Sequence, residues 1–81
     1  MIYRELDAVI LTRHLPEHGL RTGDLGAVVE VHSTETLEVE FVRASGQTQA
    51  LVTLRYADLR PVQDRDLVAV RQIVPSTRGA A

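Results

Sequence analysis

Leu20-Arg21-Thr22-Gly23-Asp24-Leu25-Gly26-Ala27-Val28-Val29-Glu30-Val31 is the stretch on which the fold turns. Two glycines flank an Asp-Leu pair, and a run rich in β-branched residues follows at once. Glycine enters left-handed backbone conformations cheaply, and Asp tolerates turns by bonding to nearby backbone N–H groups. Gly23, Asp24 and Gly26 therefore predict a tight structural turn that feeds a strand over residues 25–32, with Gly26 itself at positive φ.

Upstream, Asp7-Ala8-Val9-Ile10-Leu11-Thr12 is a short run with apolar residues on both faces, as a central or strongly curved strand requires. Residues 13–23 carry Pro16, Gly19 and Gly23 and read as a long loop with Leu15 and Leu20 tucked beneath it. Downstream, Ser33-Thr34-Glu35-Thr36 is a polar turn. Leu37-Glu38-Val39-Glu40-Phe41-Val42-Arg43 alternates apolar with acidic residues, the period of a strand with one buried and one wet face. Ala44-Ser45-Gly46 is a hairpin loop in which Gly46 supplies positive φ. Residues 47–54 return as a fourth strand with Ala50, Val52 and Leu54 inward. Tyr56 to Leu59 makes a single helical turn, and residues 60–62 a short closing strand.

Strand, loop, three-stranded meander, single turn and short strand is the order of SH3-like domains. The expected fold is all-β: a small, partly open SH3-like barrel of about five strands over residues 1–63. Residues 64–75 form an appendage. Asp64 is able to cap a helix and Leu67, Val70, Ile73 and Val74 follow helical spacing, yet the β-branched content suits an extended segment equally. The spacing favours a short helix and leaves the extended form open. Residues 76–81 read as a mobile tail.

With 81 residues the chain is one domain, and such a chain buries only about 60–65% of its unfolded surface. A hydrophobic content of 44% suffices for one core and argues against global disorder. Cysteine is absent, which removes disulfide and thiol chemistry and fits a reducing, cytoplasmic setting. No apolar run approaches the roughly 20 residues that span a bilayer, and residues 1–5 lack the layout of a signal peptide. All nine basic residues are Arg, scattered at positions 4, 13, 21, 43, 55, 60, 65, 71 and 78, and eleven acids give a net charge of −2. Nucleic-acid binding wants a gathered basic patch, so this balance disfavours it.

Candidate chemistry is sparse. His14 and His18 have metal-ligand spacing for a helix, but Pro16 lies between them and makes a helix there improbable, so two solvated loop histidines are the better reading. Glu38 and Glu40 share one strand face, and Glu30 joins them if strands two and three pair in the simple hairpin register. Two acids on an open sheet face lack the unequal, cleft-bound environments of a catalytic pair. A solvated face is the ordinary reading of such a pair, and an acidic docking surface is the functional one carried forward. Gly23-Asp24-Leu25-Gly26 lacks the length, the Lys and the following helix of a phosphate loop. A barrel this small has little room for a pocket of several hundred cubic ångströms. With only Tyr3, Phe41 and Tyr56 as aromatics, the grooves that bind polyproline helices or stack single-stranded bases are disfavoured too.

Leu6-Asp7-x-Val9, Leu15-Pro16-Glu17-x-Gly19-Leu20, Gly23-Asp24-x-Gly26-x-Val28-Val29, Glu38-Val39-Glu40-Phe41, Thr53-Leu54 and Asp58-Leu59-Arg60-Pro61 occur in one order. This ordered set resembles the small bacterial domain-of-unknown-function family forty-nine twenty-six, over residues 6–62. The resemblance implies an SH3-like barrel and no reaction. It says nothing of residues 63–81.

The expected function is that of a non-enzymatic protein-binding module, an accessory or neutralising, immunity-like subunit of a larger partner. Glu30, Glu38 and Glu40 would form the docking face. No catalytic, cofactor or metal residues are expected, and the apolar stripe of the appendage is expected to pack on the barrel or to form a homodimer contact. The competing class is a nucleic-acid- or ribosome-associated barrel.

Overall fold

The computed structural model describes residues 2–74. Five strands follow one another: β1 (Ala8–Leu11), β2 (Leu25–Val31), β3 (Thr36–Val42), β4 (Thr48–Arg55) and β5 (Leu59–Pro61). They form one antiparallel sheet in the order β4-β3-β2-β1-β5. No ladder joins β4 to β5 among the described residues, so the sheet is not closed into a barrel. The class is all-β, as expected, with two single 3-10 turns among the described residues, at Pro16–His18 and Tyr56–Asp58.

The alternation of β3 sets the core. Leu37, Val39 and Phe41 point inward and are buried, against Val9 and Leu11 of β1, Val28 of β2, and Ala50 and Leu54 of β4. Each such aliphatic side chain removed from water contributes about 1.5–3 kcal/mol before entropy is set against it. β1 is central, between β2 and β5, which explains why it is apolar on both faces. Val9 and Leu11 enter the core, while Ile10 is buried outside that cluster opposite Leu25 and Arg60. Leu15 and Leu20 bridge each other beneath the long loop and are buried, as the sequence predicts. Tyr3 is also buried, edge-on to the half-buried Tyr56 at 5.2 Å between ring centroids.

The appendage takes the extended option. Residues 67–74 contain no helix, so the helical stripe of Leu67, Val70, Ile73 and Val74 does not form. Leu67 and Val70 are almost fully exposed, whereas Ile73 is half-buried. After β5 the chain turns at Gln63–Asp66, where Asp66 accepts from the Gln63 N–H and grips the Arg60 guanidinium at 2.9 and 2.8 Å. Residues 67–74 then return as a strap toward the start of β2. Pro75 and the tail at 76–81 lie outside the described residues.

Candidate protein-docking face

Thr36, Glu38, Glu40 and Val42 project from the outer face of β3. Across from them, the β2 register shifts at a bulge between Val28 and Glu30. The pairs Ala27–Glu40 and Val28–Val39, continued without the bulge, would set Glu30 opposite inward-facing Leu37. The extra residue instead sets Glu30 opposite Glu38, on the wet face. The three carboxylates expected on one surface are thus brought together.

His32 completes the group. Its Nδ1 lies 3.0 Å from Glu30 Oε2 and its Nε2 3.9 Å from Glu38 Oε1. Glu40 accepts a hydrogen bond from the Thr48 hydroxyl across the β3–β4 ladder. The Glu30 side chain is 60% exposed and that of Glu38 29%. No arginine forms an ion pair with any of the three glutamates among the described residues. Arg13 pairs with Asp58, Arg60 with Asp66 and Arg71 with Asp24, all away from this face. His32 was not foreseen as part of the face. The signal was the two-residue step from Glu30 to His32, which keeps both on one side of a strand.

The turn before β2 forms, with one correction. Gly23 has φ 96° and its N–H bonds to the Leu11 carbonyl at 2.8 Å. Asp24 accepts from the Arg21 N–H at 2.7 Å. Gly26, however, does not have positive φ. Its reason for being glycine is space: a Cβ there would sit 2.6 Å from Val39 Cγ1 and 2.8 Å from Phe41 Cε2. Gly26 lets β2 lie close against the inner face of β3.

Asp24 has a second role that the local sequence does not reveal. Arg71 grips it with two nitrogens, Nε to Oδ1 at 2.9 Å and Nη2 to Oδ2, and Nη2 also donates to the Gly19 carbonyl at 3.1 Å. Burial pushes the Asp24 carboxyl up. The Arg71 and Arg21 hydrogen bonds and the charges of both arginines outweigh it and hold the carboxyl below its usual value.

This clamp fastens the strap and creates a groove of about 790 Å³, lined by Leu25, Phe41, Val42, Gln49, Val70 and Ile73 among others. The expectation of no pocket of that size is corrected, because the strap and not the sheet alone supplies one wall. His14 and His18 belong to no group of three or more ligating side chains among the described residues, and His14 Nδ1 accepts from the Thr22 N–H at 3.1 Å. No helix among the described residues is long and apolar enough to cross a membrane.

A family model described as a domain of unknown function, DUF4926, matches residues 5–61. The chain belongs to the DUF4926 family. The DUF4926 match runs from just before β1 to the last residue of β5, so it spans all five strands, the acidic face and the turn. The strap lies beyond it, and the Asp24–Arg71 clamp therefore joins a residue within the DUF4926 match to one outside it. No curated protein and no solved structure matches the chain.

Proposed function

We propose that this domain is a non-enzymatic protein-binding module whose outer β2–β3 face docks a basic surface of a larger partner. The observation that carries this reading is the group Glu30, Glu38 and Glu40, gathered on one face with only His32 as an ion-pair neighbour among the described residues. Carboxylates left without an arginine, in a chain that commits three arginines to other acids, attract an external cation. Exposed charges of this kind act chiefly on the association rate and on the choice of partner. A neutralising or accessory subunit in a reducing cytoplasm is the concrete form, consistent with the absence of cysteine.

The test is the double reversal Glu38→Arg with Glu40→Arg. The core residues Leu37, Val39 and Phe41 stay in place, so the fold survives. Affinity capture from native lysate, compared before and after nuclease treatment, is expected to lose the main protein partner in the variant. Retained protein capture together with newly gained RNA or DNA would reject the docking face in favour of a nucleic-acid-binding domain.

A further inference from the structure

The two edges of the sheet are treated differently by the sequence. The β5 edge is three residues long and carries Arg60 and Pro61, both of which discourage strand addition. The β4 edge is eight residues long and has neither charge nor proline from Thr48 to Leu54. No backbone hydrogen bond joins the outer side of β4 to another described element.

Which groups are free follows from the ladder. The Glu35 carbonyl accepts from the Tyr56 N–H, and the Gln47 carbonyl accepts from the Arg43 N–H. Odd-numbered residues of β3 therefore direct their backbone groups toward β4, where their partners are Ala50, Val52 and Leu54. By alternation, the N–H and C=O of Leu51 and Thr53 point out of the sheet. Their neighbours on that edge are already engaged. Gln49 sits at the bulge, its side chain held by the His18 carbonyl and Arg43, and the Arg55 N–H donates to Asp58.

We propose that this open stretch pairs antiparallel with the same stretch of a second copy, about a two-fold axis through Val52. Leu51 of each copy then exchanges both backbone bonds with Thr53 of the other, four bonds in all, and uses only the groups that are free. Val52, half-buried at the open margin of the core, meets its own copy across the axis. Ala50 meets Leu54, and Gln49 meets Arg55, so no like charges are opposed. The acidic faces do not forbid the union. The two β3 strands lie three strand spacings apart, about 14 Å, which exceeds the Debye length of about 8 Å at physiological salt. The result is one ten-stranded sheet with both acidic faces on the same side. This proposal is independent of what docks on those faces.

The full chain is measured by sedimentation velocity from micromolar to millimolar concentration. The expected mass rises toward twice that of the monomer. Leu51→Lys and Thr53→Pro each shift dimerisation at least tenfold toward the monomer; neither removes a bond to β3, and circular dichroism checks that each remains folded. Because the chain has no cysteine, Val52→Cys reports the axis directly. It is expected to form an intermolecular disulfide under mild oxidation, while Thr48→Cys does not. A wild-type chain that stays monomeric throughout would overturn the proposal and leave the edge to a strand of another protein. So would a dimer that survives both edge variants and yields no Val52→Cys cross-link, since the strap would then be the interface.

Discussion

Asp24 and Arg71 stand 47 positions apart and meet in a two-point ion pair that ties the strap to the turn before β2. The pair does two jobs at once. Asp24 already closes the turn by accepting the Arg21 N–H, and Arg71 also donates to the Gly19 carbonyl in the preceding loop. One guanidinium thus fastens the strap to both ends of the Gly19–Asp24 segment.

Arg71→Ala is expected to release the strap while leaving the five strands in place. Charged hydrogen bonds of this kind contribute about 1.5–3 kcal/mol where they are shielded, and the side chains here are mostly but not fully covered, so a loss near 1 kcal/mol is anticipated. Limited proteolysis within residues 67–74 should accelerate, with a small fall in the urea midpoint. Unchanged cleavage of the strap would show that Ile73 and not the ion pair holds it.

Acid should loosen the same region. Hydrogen bonds from Arg60 and the Gln63 N–H lower the Asp66 carboxyl to about 2, and Asp24 is also held below its usual value. A carboxyl depressed in the folded state adds stability that is present above its unfolded pKa, near 4, and is lost as pH falls through the folded value. Urea midpoints are therefore expected to drop between about pH 4 and pH 2. The fall should be shallower in the Asp24→Asn, Asp66→Asn double variant. An equally steep fall in that variant would assign the acid sensitivity to other carboxylates.

Gly26 offers a test of close packing against backbone strain. Gly26→Ala is expected to cost about 1–3 kcal/mol, because the new methyl overlaps Val39 and Phe41. Adding Val39→Ala opens that space, so the double variant should be more stable than the sum of the two single effects implies. Strict additivity in the urea midpoints would contradict the packing account.

Leu6 is the non-glycine residue with positive φ among the described residues, at 73°, and it is 86% exposed. A left-handed conformation costs an L-residue roughly 1–2 kcal/mol, and glycine gives back part of that relief in unfolded-state entropy. Leu6→Gly should raise stability by about 0.5–1 kcal/mol. A lower urea midpoint would mean that the leucine makes a contribution its exposure does not reveal.

Much of the sheet was legible because its signals are local. Leu37, Val39 and Phe41 alternate with Glu38 and Glu40, and Gly46 marks the hairpin that returns β4 beside β3. What escaped is set by contacts between distant residues. Gly26 looks like a turn glycine until Phe41 is placed against it. Arg71 looks like one of several solvated cations until the strap brings it to Asp24. The helical spacing of Leu67, Val70, Ile73 and Val74 misled because no surface is offered to such a stripe, whereas an extended strap reaches the clamp. The position of Glu30 depended on a single bulge, which no periodicity records.

The docking claim is tested most directly by carbodiimide coupling in native extract. This reagent joins a carboxylate to an amine only where the two are in contact. The chain contains no lysine, so its own side chains contribute no amine background. Mass-spectrometric mapping is predicted to place the linked sites at Glu30, Glu38 and Glu40, joined to lysines of one basic protein and suppressed by high salt. Links spread over acids elsewhere in the chain, with these three unmodified, would contradict the acidic face as the docking surface.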